Sequence, residues 1–164
     1  MITTREVAAG DEPFLLRLYA STRARELARV PWPDEQKDAF VLMQFRAQAQ
    51  FYAECFPDAT FALVECDGEP AGRLYVHRRE DEIRIVDITI DPARRNRGIG
   101  SALMAGLLAE GDRTGRRVTV HVERENDALR WYRRLGFTHV RERGFYDFLE
   151  RCPAARPSCS IASR

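Results

Sequence analysis

The chain has 164 residues, which is enough for one domain with a hydrophobic core. It is too short for two domains of typical size. Hydrophobic residues make up 45% of it and charged residues 31%, which is the balance of an ordinary globular protein. With a net charge of +1, no global basic field favours nucleic acid as a partner. No stretch reaches the length of a membrane span and the N-terminus lacks the apolar core of a signal peptide, so we expect a cytoplasmic protein without a membrane partner.

The cysteines give no sign of a metal site or a disulfide scaffold. None of them is spaced as Cys-x-x-Cys, and their number is below the density of a disulfide-stapled domain. We expect buried or tail thiols in a reducing compartment. They are Cys55, Cys66, Cys152 and Cys159.

The first third of the chain predicts one strand and two helices. We expect a strand over Ile2–Val7 and then a helix with Asp11 as a plausible N-cap and Pro13 in its first turn. Pro31-Trp32-Pro33 interrupts the helical pattern, because proline disfavours helix at its own position and at the one before. A second helix is predicted from about Asp34 to Cys55.

The aromatic and glutamine side chains of the two predicted helices and their connection have two interpretations. In the first interpretation they line a substrate pocket. In the second, the aromatic side chains belong to the core and the glutamines form a solvated face. The second interpretation is favoured by how often helical aromatics are simply buried. The side chains concerned are Trp32, Gln44, Phe45, Gln48 and Tyr52.

The middle of the chain predicts a hairpin and then a buried strand. Phe61–Cys66 and Ala71–His77 flank the turn Asp67-Gly68, which is typical of a tight hairpin. Ile83–Ile90 is rich in β-branched residues, so we expect a strand that is buried on at least one face, and Asp91-Pro92 ends it.

A basic glycine turn follows and leads into a helix. The first backbone N–H groups of a helix have no internal partner and lie at the positive end of its dipole, so this junction predicts an anion site. Glycine at positions 98 and 100 removes the Cβ atoms that would keep a phosphate away, and Arg94, Arg95 and Arg97 add charge. Ser101-Ala102 after Gly100 excludes a P-loop, and Leu103 replaces the third glycine of a dinucleotide fingerprint.

The last part of the chain predicts one parallel and two antiparallel strands. Gly115 ends the helix, and Arg117–Val122 then pairs in parallel with the preceding strand across a right-handed crossover. A short helix over Asn126–Leu135 and strands over Thr138–Arg143 and Phe145–Leu149 close the sheet. We expect a single domain over residues 1–150 and a flexible tail over residues 151–164, because the tail has little to bury.

Two motifs give the chain a resemblance to a known family. The first is Arg95-x-x-Gly98-x-Gly100, after a strand that ends at Ile90-Asp91-Pro92. The second is Asn126-x-Ala128-x-x-x-Tyr132-x-x-x-Gly136-Phe137. In this order and separation they resemble the signatures of the GNAT family of N-acetyltransferases over residues 60–150. The resemblance implies an α/β (α+β) fold with a mixed, mostly antiparallel sheet of about seven strands, about four helices and a V-shaped splay between the fourth and fifth strands.

The resemblance also implies a cosubstrate and the residues that bind it. Acetyl-CoA is expected, with no metal, and its pyrophosphate is expected on the glycine turn. The backbone of the central strand is expected to hold the pantetheine amides and to supply the oxyanion donor. Asn126 either caps its helix or reaches the pantetheine. The expected cofactor-binding residues are Ile88, Thr89, Ile90, Arg95, Asn96, Arg97, Gly98, Ile99, Gly100, Ser101, Asn126 and Tyr132.

The resemblance assigns catalytic roles to two side chains. Tyr132 is expected to protonate the departing thiolate, because a phenol with a pKa near 10 stays protonated at neutral pH. Some family members carry a glutamate where Arg84 stands, and others carry a glutamate where His121 stands. His121 is therefore a candidate base, together with Asp87, Glu123 and a chain of waters.

The expected reaction is transfer of the acetyl group to a primary amine of a small molecule or a peptide. The alternative is a non-catalytic acyl-CoA-binding or regulatory domain of the same fold, or a transferase of a different acyl group. The resemblance also implies a homodimer, because strands in such folds often pair across a dimer. The identity of the acceptor is not readable from the sequence, because the first third of the chain has the weakest resemblance.

Overall fold

A computed structural model describes residues 1–124 and 126–154. The described residues form seven β-strands and four α-helices. The strands are β1 (Ile2–Glu6), β2 (Thr60–Cys66), β3 (Glu69–Arg78), β4 (Glu82–Ile90), β5 (Arg117–Glu123), β6 (Thr138–Arg143) and β7 (Tyr146–Arg151). The helices are α1 (Glu12–Leu27), α2 (Asp34–Cys55), α3 (Ile99–Thr114) and α4 (Ala128–Arg134).

The strands belong to one sheet in the order β1-β2-β3-β4-β5-β7-β6. The pairs β1–β2, β2–β3, β5–β7 and β6–β7 are antiparallel. The start of β4 is parallel to β5, since Glu82 contacts Thr119 and Arg84 contacts His121 with the same separation of 37 residues. The predicted α+β architecture, with a mixed and mostly antiparallel sheet, is confirmed. The predicted splay between the fourth and fifth strands stays a prediction.

The chain divides into two compact units. The first contains Met1–Arg78 and Ile85–Leu103, and the second contains Arg79–Arg84 and the residues from Met104 onward. This division does not test the single domain predicted over residues 1–150, which stays a prediction.

The core of the first unit lies where α1 and α2 pack on the sheet. The apolar faces of both helices supply it, together with one side chain of β2 that is fully buried. Tyr19 of α1 and Phe45 of α2 meet there with ring centroids 5.9 Å apart. The buried cluster is Leu15, Leu18, Tyr19, Leu27, Val41, Phe45 and Leu63.

The second unit has its own buried apolar side chains, from the later turns of α3, from β5 and β7, and from the end of α4. Alternation along β5 buries Val118, Val120 and Val122, as a strand with one covered face requires. Arg151 at the end of β7 binds Asp112 through two hydrogen bonds of 2.8 and 3.0 Å, and the backbone N–H of Ala154 also donates to Asp112. The rest of the predicted tail lies outside the described residues, and its flexibility stays a prediction.

Turn chemistry accounts for the connection between β2 and β3. Asp67 and Gly68 both have positive φ, +55° and +83°, which is the type I′ geometry that suits a two-residue hairpin. The β2–β3 hairpin predicted from this dipeptide is therefore confirmed.

Two local expectations were wrong, and a third was right only in position. Asp11 occupies the N-cap position of α1 as predicted, but its carboxylate does not bond the helix and accepts from the backbone N–H of Ala8 and from Arg5 instead. The short helix α4 begins two residues later than Asn126 and ends one residue before Leu135. Cys55 is exposed rather than buried, while Cys152 is exposed and Cys159 falls outside the described residues.

Candidate active site

The glycine turn is folded back on the end of β4. Asp91 Oδ1 accepts from the backbone N–H of Ala93 over 2.9 Å, which starts a single 3-10 turn over Pro92–Arg94. Arg95, the first motif residue, then donates from Nε to the carbonyl of Ile90 over 3.0 Å. The motif arginine therefore fixes the direction in which the chain leaves the strand.

The start of α3 presents backbone donors. Asn96 and Gly98 have φ of +60° and +78°, a left-handed conformation that glycine adopts without strain. The carbonyl of Gly98 accepts from Ala102 over 2.9 Å, so α3 begins directly after it. The N–H groups of the next three residues, Ile99, Gly100 and Ser101, consequently have no helical acceptor.

The same turn is basic and open. Arg95 and Arg97 are exposed, and Arg94 is half-buried. Apart from Gly98 itself and its two chain neighbours, no described atom lies within 4 Å of the point where a Cβ on Gly98 would be. Free N–H groups, a helix N-terminus and guanidinium groups together give this segment the chemistry of a phosphate site.

The last residues of β4 are half-buried and lie close to β3. The carbonyl of Thr89 is only 2.4 Å from the position of a Cβ on Gly72, which shows how closely the two backbones approach. The N–H of Asp91 donates to Ala71 of β3 over 2.9 Å. The end of β4 is therefore closely paired with β3. The contacts with the pantetheine that were predicted for Ile88, Thr89 and Ile90 stay a prediction.

Asp87 is the centre of a partly buried polar network in the first unit. Its Oδ2 accepts from Arg73 over 2.7 Å and from the hydroxyl of Tyr52 over 3.0 Å, and its Oδ1 accepts from Thr89 over 2.8 Å. Arg73 also donates to Gln48 over 2.9 Å. Both oxygens of this candidate base are therefore engaged.

Arg73 is the cation of this network and is buried in the middle of β3. Its side chain is 4% exposed, and its guanidinium lies 5.3 Å from the ring centroid of Tyr75. Its Nε is buried without a hydrogen-bond partner. Burial also raises the pKa of the Tyr75 hydroxyl above its ordinary value.

This network shows which of the two interpretations applies to the side chains of α2. Gln48 and Tyr52 are neither a solvated face nor simple core, because they hold Arg73 and Asp87. Phe45 belongs to the apolar core, as the favoured interpretation had it. Trp32 packs edge-on against Phe40 at 5.5 Å.

His121 lies on β5, in the second unit, and is a hydrogen-bond acceptor at Nδ1. Arg84 donates to that nitrogen from Nη2 over 2.7 Å, so the proton of the neutral ring is on Nε2. Burial, followed by the charges of Arg84, Arg143 and Arg141, lowers the pKa of His121 to about 4. Its predicted role as a base stays a prediction, and this geometry does not favour it, because the lone pair that would accept a proton is occupied.

Tyr132 is buried on α4 at 4% exposure. Its ring contacts Trp131 at 5.0 Å and Phe137 at 5.3 Å between centroids, and its carbonyl accepts from the N–H of Phe137. The residues of the second motif therefore pack on one another. Asn126 Oδ1 accepts from the N–H of Ala128 over 2.9 Å, which orders the turn before α4, whereas the N-cap position of that helix is occupied by Asp127. The predicted contact of Asn126 with the pantetheine stays a prediction.

One group of side chains in the second unit has metal-ligand chemistry. His139, Glu142 and Asp147 place ligand atoms within 4.8 Å of one another. Arg124 already bonds Glu142 over 2.6 Å and lies 3.6 Å from Asp147, so a cation is present there in the form of a guanidinium. The expectation of no metal stays a prediction.

The polar network around Asp87 was not predicted from the sequence. The signal was a charged residue within each of two neighbouring apolar strands, Arg73 in β3 and Asp87 in β4. Opposite charges inside adjacent buried strands indicate an ion pair, because an unpaired buried charge is costly.

Comparison with known proteins decides the family. The sequence profile of the acetyltransferase (GNAT) family matches residues 19–137 of the chain. The chain belongs to the GNAT family. As a GNAT member it is an acetyl-CoA-dependent N-acetyltransferase, and the predicted family membership is confirmed. A search of curated protein sequences found no significant match.

Solved structures share the fold. The PaiA N-acetyltransferase from Thermoplasma acidophilum, in complex with coenzyme A, is 14% identical with a TM-score of 0.69, and the alignment covers 93% of this chain and 99% of that one. An acetyltransferase from Thermus thermophilus is 20% identical with a TM-score of 0.67, at 93% and 97% coverage. The ribosomal-protein-S18-alanine N-acetyltransferase from Escherichia coli is 17% identical with a TM-score of 0.62, at 97% and 98% coverage.

The longest of the described helices, α2, has 22 residues and carries charged side chains along its length. Across residues 1–124 and 126–154, none is both long enough and apolar enough to cross a membrane.

Proposed function

We propose that this GNAT acetyltransferase transfers the acetyl group of acetyl-CoA directly to a primary amine of a small molecule or peptide. The observation that carries the proposal is the glycine turn. Its open Gly98, the unpaired N–H groups at the start of α3 and its exposed arginines suit a pyrophosphate. The pyrophosphate would bind Arg95, Asn96, Arg97, Gly98, Ile99, Gly100 and Ser101.

The end of β4 is proposed to hold the rest of the cosubstrate. Backbone groups of Ile88, Thr89 and Ile90 would bind the pantetheine amides as an added strand does, and one N–H would donate to the developing oxyanion. The close pairing with β3 at Gly72 supports this role, because an oxyanion donor has to be held rigidly before the reaction.

Tyr132 is proposed as the acid. Amine attack breaks the carbon–sulfur bond of the thioester, and the departing thiolate takes up one proton. A phenol supplies that proton while remaining protonated at neutral pH before the reaction. The packing of Tyr132 against Trp131 and Phe137 supports the role by fixing the ring.

Removal of the proton from the amine is proposed to pass through water. Nδ1 of His121 is occupied by Arg84, and both oxygens of Asp87 are engaged by Arg73, Tyr52 and Thr89. Glu123, an exposed carboxylate one pleat from His121 on the same face of β5, is the remaining candidate to accept the proton from that water.

The test is an amine screen with acetyl-CoA that follows release of the free thiol and detects the product by mass spectrometry. The expected result is amine-dependent thiol release with an acetylated product. Parallel reactions with propionyl-CoA and succinyl-CoA report the acyl preference. Thiol release without an acetylated amine, or release only with a different acyl group, would contradict the proposal. The homodimer stays a prediction, for which light scattering is the measurement.

A further inference from the structure

Two side chains of β4, Asp87 and Thr89, lie on the face of the sheet that α2 covers. Residues two apart along a strand share a face. Asp87 accepts from Tyr52 of α2 over 3.0 Å, and Arg73, which donates to Asp87, also donates to Gln48 of the same helix. All of these residues belong to the first unit. The hydroxyl of Thr89, which bonds Asp87, is therefore on the α2 side of the strand.

The hydroxyl proton of Thr89 has one fixed direction. Oγ1 of Thr89 donates to Oδ1 of Asp87 over 2.8 Å. A carboxylate only accepts hydrogen bonds, so the single O–H of Thr89 is used in this bond. The lone pairs of the Thr89 oxygen remain, and lone pairs accept from N–H or O–H groups. Thr89 is thus an acceptor, and not a donor, for a ligand that reaches it.

Asp87 is held in this orientation from its other side. Its Oδ2 accepts from Arg73 over 2.7 Å and from the hydroxyl of Tyr52 over 3.0 Å. These two bonds fix the plane of the carboxylate and direct Oδ1 at Thr89. Among the described residues, the bond from Thr89 is the only one that Oδ1 accepts. The hydroxyl of Thr89 therefore has one defined partner.

Thr89 is placed where an incoming amine is needed. It is half-buried, and beyond the bond to Asp87 its Oγ1 has no polar partner within residues 1–124 and 126–154. Its own backbone belongs to the segment that is proposed to hold the thioester. A group that binds Oγ1 consequently lies beside that thioester, and the group required there during the reaction is the attacking amine.

We propose that Oγ1 of Thr89 accepts a hydrogen bond from the attacking amine and turns the lone pair of the nitrogen towards the thioester. Thr89 is then a catalytic residue that touches the acceptor, and Asp87 is the positioning residue that orients its hydroxyl. The inference rests on the proposed function and deepens it, because it names the side chains that hold the acceptor.

The balance of the reaction connects this contact to the class of amine. The nitrogen lone pair forms the new C–N bond, the bonding pair of the C–S bond leaves with sulfur, and one N–H proton passes to water. A neutral primary amine has two N–H groups, so one stays on Thr89 while the other is lost. A secondary amine has a single N–H and cannot do both. The contact with Thr89 therefore selects primary amines.

The test compares each primary amine that the full-length protein acetylates with its N-methyl counterpart. In the wild type, kcat/KM should be at least about tenfold higher for the primary amine. Thr89→Val keeps the shape and removes the hydroxyl, so this ratio should fall to about threefold or less. Thr89→Ser restores a hydroxyl and should recover most of the ratio. Thr60→Val, the same change at an exposed position of β2, should leave it as in the wild type. An equal ratio in the wild type and Thr89→Val would overturn the inference and leave the proposed function standing.

The role of Asp87 has its own readout. Asp87→Asn presents either an oxygen or an N–H to Thr89, so the hydroxyl proton loses its single direction. The ratio for primary over N-methyl amine should fall in this variant too. Loss of stability alone would lower the amount of active enzyme and leave the ratio unchanged, so an unchanged ratio would overturn the role of Asp87.

Calorimetric titration with acetyl-CoA separates the acceptor from the cosubstrate. Thr89→Val should bind acetyl-CoA within about threefold of the wild type, because the lost group faces the amine. Weaker binding of acetyl-CoA by tenfold or more, with the amine ratio retained, would assign the hydroxyl to the cosubstrate and the inference would fail. A wild type that binds acetyl-CoA and acetylates no amine would count against the proposed function, and the inference would fall with it.

Discussion

Arg84 donates a hydrogen bond from Nη2 to Nδ1 of His121 across 2.7 Å. The guanidinium stays protonated, so it occupies the imidazole lone pair and opposes a second positive charge on the ring. Burial and this neighbour lower the pKa of His121 to about 4. His121, which the family resemblance suggested as a base, is therefore a neutral imidazole with its proton on Nε2.

The low pKa of His121 predicts a pH dependence of stability. Between pH 6.5 and about 4 the unfolded chain binds a proton on this ring while the folded protein does not, so the free energy of unfolding falls as the pH is lowered through this range. Urea denaturation at a series of pH values measures it. His121→Gln should lose less stability than the wild type over this range, and identical slopes for the two proteins would contradict the assignment.

Much of the fold follows from local signals in the sequence. Asp67-Gly68 predicts its hairpin because the turn needs two residues at positive φ, and α2 begins and ends where the proline break and the helical pattern place it. The junction from β4 through Gly98 to α3 was also predictable, because a buried strand, a basic glycine turn and a helix follow one another directly.

What the sequence could not show depends on distant partners. Arg73 and Asp87 are 14 residues apart, and only the pairing of β3 with β4 brings them together. Arg84 and His121 are 37 residues apart, and only their contact makes the imidazole a donor. Asp11 has the residue type of a cap, but Arg5 and Ala8 compete for its carboxylate. Side-chain chemistry of this kind is set by tertiary contacts.

The buried ion pair predicts an asymmetric response to mutation. Arg73→Leu leaves Asp87 at 11% exposure without its cation, and such a loss costs about 3–5 kcal/mol of unfolding free energy. The double variant Arg73→Leu, Asp87→Leu should be less destabilised than Arg73→Leu, because no unpaired charge remains. A double-mutant cycle by urea denaturation measures this, and additive losses would contradict the pairing.

A side chain at position 72 should destabilise the protein, because β3 closely approaches β4 there. A Cβ at this position would lie 2.4 Å from the carbonyl oxygen of Thr89, and backbone cannot move aside cheaply. Gly72→Ala should therefore lower the unfolding free energy by about 2–3 kcal/mol. Gly106→Ala is the matched control, because no described atom other than the adjoining backbone of α3 and the two chain neighbours lies within 4 Å there. Alanine favours the interior of α3, which should raise stability by about 0.5–1 kcal/mol. Thermal unfolding of both variants decides whether the effect is steric.

Replacement of Tyr132 should slow the chemical step of the reaction. Tyr132→Phe removes the proposed acid and keeps the packing against Trp131 and Phe137, so kcat should fall about 100-fold with little change in the KM for acetyl-CoA. Trp131→Phe changes the neighbouring ring and keeps the hydroxyl, and it should retain most of the activity. Steady-state kinetics on both variants measures this, and a Tyr132→Phe enzyme with unchanged kcat would remove Tyr132 from the mechanism.

The glycine turn as the acetyl-CoA site is the central claim, and calorimetric titration with acetyl-CoA tests it most directly. Gly98→Asn fills the open space at φ +78° with a residue that tolerates this conformation, and Gly68→Asn makes the same change at φ +83° in the β2–β3 hairpin. Saturable binding that is retained in Gly68→Asn and lost in Gly98→Asn and Arg95→Ala is predicted. Binding of equal affinity in the wild type and all three variants would contradict the claim.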